Sequence, residues 1–330
     1  MRIAVLGAGS WGTALAAMLA EGGHDTTLWA RDPGAAAELQ ARRENLRYLP
    51  GLRLPALVTA TEDLAVAVRA RELVVVALPS TAVREVVRAA AATIDAAALL
   101  VCASKGLEAD TRLTLDRVLA EVAPGRPVVL LSGPTFAREI AAGLPAAAVA
   151  ASTDPAAATA VQQVLGTPRF RVYTSPDVVG VALSGALKNV IAIAAGCCDG
   201  LGFGSNARAA LVTRGLREVG RLVARLGGDP LTVAGLAGLG DLVLTCTGEL
   251  SRNRQVGLAL GRGEPLETVT GRLGQVAEGV STARVADALA RSLGVPMPIT
   301  AQVAAVVSGH RAPRDAVAEL LARGQGPESA

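Results

Sequence analysis

Residues 2–21 read RIAVLGAGSWGTALAAMLAE, and this stretch decides the fold. Arg2 to Leu6 is a short, β-rich apolar run, a buried strand by its length and by the glycine that ends it. Gly7-Ala8-Gly9-Ser10-Trp11-Gly12 then reads G-x-G-x-x-G, and residues 13–21 continue at once with helical spacing. Strand, glycine loop and helix, in that order, are the context a dinucleotide-binding turn requires. Gly7 permits the tight turn, Gly9 lets the backbone approach a pyrophosphate, and Gly12 lets the helix pack on the strand. The helix start offers free N–H groups and a partial positive charge to the phosphates.

Working outward, residues 26–30 form a second strand that delivers Arg31-Asp32, about 20 residues past the glycines, where an adenosine ribose is read. Asp32 suits the 2′-hydroxyl of NAD(H) and Arg31 the 2′-phosphate of NADP(H). With both present the sequence does not choose, and one of the two is an ordinary turn residue before Pro33. Residues 57–60, 73–77, 98–103 and 128–131 read as further strands, alternating with helical stretches such as 83–91. These strands deliver Pro79-Ser80, Ser104-Lys105-Gly106 and Gly133-Pro134-Thr135-Phe136-Ala137. The alternation implies a doubly wound, mainly parallel sheet, whose ligands bind beyond the carboxyl ends of the strands, where all these residues fall. An ordinary turn is the competing reading for residues 133–135.

Residues 155–165 read as a helix and 170–174 as a last strand; from residue 175 the strands stop. Residues 176–196 form one helix, apolar nearly all round and therefore buried. A second helix covers 207–226, a glycine-rich stop covers 235–240, and Asp241 opens a further element. Ser251 is an N-cap for the helix beginning Arg252-Asn253-Arg254, and residues 281–292, 299–307 and 313–322 complete an all-helical half. The expected fold is an α/β Rossmann domain, residues 1–174, followed by an all-α C-terminal domain, residues 175–330, with a disordered polar tail at 324–330.

A chain of 330 residues has room for these two domains. It is 51% hydrophobic but only 2% aromatic, so its cores are built from Val, Leu, Ile and Ala. The net charge of +3 is small and the arginines are interspersed with acids, without the basic, aromatic-laced stripe of a nucleic-acid binder. Cys102, Cys197, Cys198 and Cys246 form no C-x-x-C pair, and His24 and His310 stand far apart, so no zinc or other metal spacing is present. The thiols read as buried in a reducing compartment. The N-terminus enters the first strand without a targeting segment, and Lys188 interrupts the best apolar run. A cytoplasmic protein with no membrane span is expected.

Of the 32 basic residues only Lys105 and Lys188 are lysines. Arginine stays protonated, whereas a desolvated lysine gives up its proton, so the two exceptions are candidates for chemistry that arginine cannot do. Lys188 lies in an apolar helix, where a bare charge is costly; a snorkelling lysine in an arginine-rich chain is the bland alternative. A nicotinamide enzyme that reduces a ketone needs a dinucleotide site, a proton donor at the carbonyl oxygen and charge to hold the substrate. Lys188 suits the donor if its pKa falls towards neutrality, with Asp241 to orient it; a helix cap after Gly240 is the equal alternative for Asp241. Arg252 and Asn253 at a helix start form a natural phosphate site, although a surface helix charge explains Arg252 as well.

The runs GAGSWGTALA, SKGLE, SGPTFARE, ALSGALKNVIAIAAG, GFGSNARAALVTRGL, GLGDLVLTCT and SRNR, in this order, resemble the bacterial NAD(P)-dependent glycerol-3-phosphate dehydrogenases over residues 1 to about 310. The resemblance implies a Rossmann domain followed by a helical one. It also implies reduction of dihydroxyacetone phosphate, a phosphorylated triose, to sn-glycerol 3-phosphate for phospholipid synthesis, with NAD(H) or NADP(H) as cofactor. It makes Lys188 the proton donor and acceptor and has Lys105 contact substrate and cofactor. Gly133, Thr135, Asn189, Asp241, Thr245, Ser251, Arg252 and Asn253 would line the substrate site. Ser10, Trp11, Arg31, Ala137, Arg252, Val276 and Glu278 would hold the cofactor with Gly7, Gly9 and Gly12. The motif positions are kept; at Trp11 the family often has another aromatic. Two other readings stand beside it. A ketopantoate reductase or β-hydroxyacid dehydrogenase shares the glycine loop and a helical lysine but lacks the SGPTFARE and LGDLVLTCT blocks. A non-catalytic NAD(P)-sensing protein needs neither lysine. The apolar helical half also allows a homodimer.

Overall fold

β1 (Arg2–Leu6) is buried from Ile3 onward and α1 (Ser10–Glu21) leaves it through the glycine loop, in a computed structural model that describes residues 1–322. The expected tail at 324–330 lies outside the described residues. There follow β2 (Asp25–Trp29), α2 (Pro33–Arg42), the short hairpin β3 (Glu44–Asn45) and β4 (Leu49–Arg53), β5 (Val58–Thr61), α3 (Leu64–Val68) and β6 (Leu73–Val76). Next come α4 (Val83–Ala90), β7 (Leu99–Cys102), α5 (Leu115–Val122), β8 (Val128–Ser132), α6 (Ala137–Ala141), β9 (Ala146–Ala151), α7 (Pro155–Leu165) and β10 (Phe170–Ser175). The main sheet runs in the order β10-β9-β8-β7-β6-β1-β2-β5.

From β5 to β8 the pairings are parallel; β9 runs antiparallel to β8, and β10 follows β9. The chain leaves β1 in both directions across the sheet, which puts the switch point, and the crevice of a doubly wound fold, beside β1 and β6. Helices cover both faces, so the strands are apolar on both. Ile3 and Val5 pack with Leu15, Leu19 and Leu28, while Ala4 and Leu6 pack with Val74, Val83 and Val87.

Because β10 points the other way, it ends at the far edge of the sheet, and α8 (Val178–Gly200) climbs back from there. Its 23 residues span about 34 Å. A methyl group on Gly185 would lie 2.8 Å from Ser132 Oγ and 3.8 Å from Lys105 Cδ, so α8 passes against the carboxyl ends of the parallel strands. Around it fold α9 (Gly204–Arg225), α10 (Pro230–Val233), a π-helical turn (Leu236–Gly240), α11 (Asp241–Thr247), α12 (Arg252–Gly261), α13 (Leu266–Leu273), α14 (Glu278–Ser292), α15 (Pro298–Val307) and α16 (Pro313–Leu321).

α12 packs on α8 backbone to backbone. A methyl on Gly196 would lie 2.1 Å from Arg254 O, and one on Gly257 would lie 2.0 Å from Ile193 O. Gly200 and Gly261 make the same kind of approach further along. This locks the start of α12 over the middle of α8.

Several boundaries differ from those the sequence predicts. Residues 235–240 are not a stop: the glycines wind into a π turn that passes without a break into α11. α8 continues to Gly200, and α9 begins at Gly204. By length and composition, Val178–Gly200 and Pro230–Thr247 are apolar enough to cross a membrane, so Lys188 does not remove α8 from that class as expected. The apolar window of α8 is 83% buried inside the protein, and that of Pro230–Thr247 39%. The four cysteines are free and buried, as read.

Candidate active site

The glycine loop has the shape its sequence requires. Gly7 has φ +112°, and a methyl there would lie 2.5 Å from Ala77 O; one on Gly12 would lie 1.8 Å from Gly7 O. Gly9 is different: a methyl there meets nothing within 4 Å, so its backbone faces open space. α1 starts without a side-chain cap, which leaves its first N–H groups for a ligand. The Trp11 indole N–H is buried without a partner in the same loop. The hairpin β3–β4 braces the loop from the side. Asn45 Nδ2 donates to Ala8 O at 2.9 Å and to Thr13 Oγ1 at 2.7 Å, and Ser10 Oγ donates to Tyr48 O at 2.6 Å. An open Gly9 and free helix N–H groups fit the pyrophosphate of a dinucleotide.

At the adenosine end both candidates follow β2. Asp32 Oδ1 accepts from Ala35 N at 2.7 Å as the N-cap of α2, with Pro33 next. The cap engages one oxygen of the Asp32 carboxylate, and Arg31 is exposed two residues past the end of β2.

The lysine centre lies where α8 crosses the sheet edge. Lys188 Nζ donates to Asp241 Oδ1 at 2.6 Å and to Thr245 Oγ1 at 2.9 Å. Lys105 Nζ donates to Asp241 Oδ2 at 2.6 Å and to Gly133 O at 2.9 Å. One carboxylate thus takes both lysines of the chain, one on each oxygen. The helix-cap reading of Asp241 is corrected: it begins α11, but its side chain is used on the ammoniums and not on a backbone N–H. Thr245 Oγ1 donates to Asp241 O at 2.6 Å, one helical turn back, which turns its lone pairs to Lys188. An ammonium has three donors. The named partners use two on each lysine and leave one on each for a ligand.

Burial shapes the charges here. Desolvation, opposed by Asp241 and reinforced by Lys105, brings the Lys188 ammonium from its ordinary 10.5 down to about 8. Burial pushes the Asp241 carboxyl up, but the charges of Lys105 and Lys188 outweigh it and hold it below its ordinary value. A proton donor brought down to about 8, beside a carboxylate held below its ordinary value, can serve acid and base chemistry.

Next to this centre α12 presents its start. Ser251 caps it, accepting from Arg254 N at 3.2 Å. Asn253 Nδ2 donates to Asn189 Oδ1 at 2.8 Å, and Asn253 Oδ1 accepts from Gly279 N at 2.9 Å, which ties α8, α12 and α14 together. Arg252 is exposed, and its Nη1 donates to Gln275 Oε1 at 3.1 Å; Ser10 Oγ reaches the same oxygen at 3.5 Å. Glu278 accepts from Ser80. Thr135 Oγ1 donates to Gly133 O at 3.2 Å, Ala137 opens α6 behind it, and Val276 is half exposed between Gln275 and α14.

The structure therefore brings Lys105, Gly133, Lys188, Asp241 and Thr245 into one group, with Asn189 and Asn253 adjoining. Arg252 is linked to the glycine loop through Gln275, and Arg31 stands apart at the end of β2. Sequence reasoning missed Asn45, Tyr48 and Gln275. Gln275 lies in the run GQVAEG beside two candidates, whereas nothing local marks the hairpin.

An open glycine loop at the switch point of a doubly wound sheet, together with two lysines sharing one buried carboxylate, marks a nicotinamide-dependent oxidoreductase. The comparisons with known proteins specify it further. A family model described as the N-terminus of NAD-dependent glycerol-3-phosphate dehydrogenase matches residues 2–158, and one described as its C-terminus matches residues 177–318. A glycerol-3-phosphate dehydrogenase [NAD(P)+] of Geobacter sulfurreducens is 52% identical over 98% of this chain and 97% of its own. One of Anaeromyxobacter dehalogenans is 50% identical over 99% and 100%. A crystal structure of glycerol-3-phosphate dehydrogenase from Coxiella burnetii superposes with a TM-score of 0.95 at 43% identity, covering 98% of this chain and 99% of that one. The chain belongs to the NAD-dependent glycerol-3-phosphate dehydrogenase family.

Proposed function

We propose that the protein interconverts dihydroxyacetone phosphate and sn-glycerol 3-phosphate with NAD(P)H in the cytoplasm, supplying the backbone of phospholipids. The observation that carries this is the Lys105–Asp241–Lys188 group at the mouth of the dinucleotide crevice. A nicotinamide bound in this crevice would supply the hydride. Lys188 keeps one N–H beyond those used on Asp241 and Thr245, and with it would give the C2 oxygen a proton as charge develops there and take that proton back in the reverse direction. Asp241 keeps Lys188 oriented and partly offsets the cost of burying its charge. Lys105 adds a second cation between substrate and cofactor.

The substrate phosphate is held at the start of α12 by Arg252, Asn253 and the Ser251 turn, where helix N–H groups and a guanidinium act together. Gly133, Thr135 and Asn189 line the rest of the substrate site. Gly7, Gly9, Ser10, Trp11 and Gly12 hold the pyrophosphate, Arg31 the adenosine end, and Ala137, Val276 and Glu278 the rest of the cofactor. In this reading residues 1–174 are the dinucleotide-binding domain and the helices beyond them the substrate domain. Exposed Leu231, Leu239 and Val243 on neighbouring elements of the helical half support a homodimer, which sedimentation would measure.

The test is a steady-state assay with dihydroxyacetone phosphate. Oxidation of NADH or NADPH is expected. No turnover with either cofactor overturns the proposal.

A further inference from the structure

Ser80 stands at the carboxyl edge of β6, directly after Pro79, and is 2% exposed. It begins a 3₁₀ turn that runs into α4, so its N–H has no partner within the helix. Both of its donors go to one carboxylate 198 residues along the chain. The N–H reaches Glu278 Oε1 at 3.1 Å, and the hydroxyl reaches Glu278 Oε2 at 2.5 Å. Glu278 is itself the first residue of α14; burial pushes its carboxyl above the ordinary value, and the two Ser80 hydrogen bonds work against that rise.

The contacts around this pair enclose the lysine centre. Gly279 N donates to Asn253 Oδ1 at 2.9 Å, and a methyl on Gly279 would lie 2.5 Å from Asn189 O. On the other side Gly106, next to Lys105, has φ +153°, and a methyl there would lie 2.8 Å from Ser80 Cβ and 3.4 Å from Glu278 Oε2. A closed path runs from Lys188 through Asn189, Gly279, Glu278, Ser80 and Gly106 to Lys105, and Asp241 completes it. The path crosses between sheet and helical half at Lys105–Asp241 and again at Ser80–Glu278.

We infer that Ser80 is a positioning residue that holds Glu278 against the sheet edge and thereby sets the wall of the cleft that receives the cofactor. The inference rests on the cofactor site proposed above. Ser80 acts through Glu278 and on the cofactor side. Lys105 keeps its own anchors at Gly133 and Asp241, and the phosphate site on α12 is held by α8.

The test is an equilibrium titration of NADPH and NADH into the full chain, followed by the fluorescence of the bound reduced nicotinamide. Ser80→Ala removes the hydroxyl and adds no bulk. It is expected to weaken binding roughly tenfold, as loss of a hydrogen bond to a buried charged group does. KM for dihydroxyacetone phosphate at saturating cofactor stays within roughly twofold in this variant, because the substrate anchors are intact. In a Glu278→Ala background, Ser80→Ala should change cofactor binding by less than roughly twofold, because the partner is already gone. Binding by Ser80→Ala equal to that of the parent overturns the inference, as does a full loss that persists without Glu278. The titration needs no turnover, so a chain that binds cofactor but does not reduce dihydroxyacetone phosphate sinks the proposed reaction and leaves this inference standing.

Discussion

Lys188 Nζ on α8 and Asp241 Oδ1 on α11 lie 2.6 Å apart, although 53 residues separate them, and the other oxygen of the same carboxylate holds Lys105. Asp241 is 1% exposed at the side chain and Lys188 11%, so the pair is shielded from water. A buried carboxylate shared by two ammoniums leaves the group with one net positive charge, suited to a ligand that carries or develops negative charge.

Lys188→Arg keeps the charge but cannot readily release a proton. A loss of roughly 10²-fold or more in kcat is expected, the usual size of a general acid–base effect. Near-native turnover would reduce Lys188 to a point charge.

With the Lys188 pKa near 8, the direction of the reaction sets the sign of the pH response. Ketone reduction needs the ammonium, so kcat/KM for dihydroxyacetone phosphate should hold below that pH and fall above it. Oxidation of glycerol 3-phosphate needs the neutral amine and should rise through the same range. Profiles that run in parallel in the two directions would contradict the assignment.

Asp241→Asn leaves the buried Lys188 ammonium and the part-buried Lys105 ammonium facing a neutral amide. Since the carboxylate raises the Lys188 pKa against burial, its removal should move the descending limb of the reduction profile to lower pH. Breaking a buried pair of this kind costs about 3–5 kcal/mol, so the melting temperature should drop as well. An unmoved limb would show that Asp241 does not govern Lys188.

The glycines of the loop make separable predictions. Gly12→Ala places a methyl 1.8 Å from Gly7 O and should destabilise the apo protein. Gly9→Ala meets nothing in the protein, so apo stability should be unchanged while cofactor affinity falls. Thermal melts of both variants, with and without NADPH, separate the two effects. Equal affinity in Gly9→Ala would mean that no ligand backbone contact is made there.

Gly257→Ala would set a methyl 2.0 Å from Ile193 O and push α12 off α8. The start of α12 carries Arg252 and Asn253, so KM for dihydroxyacetone phosphate should rise more than the cofactor Kd. Overpacking of this kind costs about 1–3 kcal/mol in stability. A Kd that rises as much as KM would argue against a phosphate site on α12.

The sheet was legible where side chains announce it. β6 is an unbroken run of branched apolar residues, and β1 and β8 are mostly so. β9 was not legible: Ala146–Ala151 reads AAAVAA, a composition poor in strand formers, and it is a strand because β8 and β10 offer it pairing edges. The hairpin at residues 44–53 is equally silent, its strands short and broken by Pro50 and Gly51, and Asn45 and Tyr48 tie it to the glycine loop.

The sequence by itself determined the dinucleotide turn, the change from alternating strands to helices after residue 175, and the two lysines worth watching. Each is a local property, carried by glycine spacing, by the period of apolar residues, or by a rare residue type. Only the tertiary structure decided that Asp241 serves the lysines and not a helix end, and that Ser80 meets Glu278. In each case the chain offers a polar group with two local or distant uses of similar energy. Which one it takes depends on what lies within about 3 Å after folding, and the partners concerned are 53, 136 and 198 residues away. Spacing along the chain carries no information over that range.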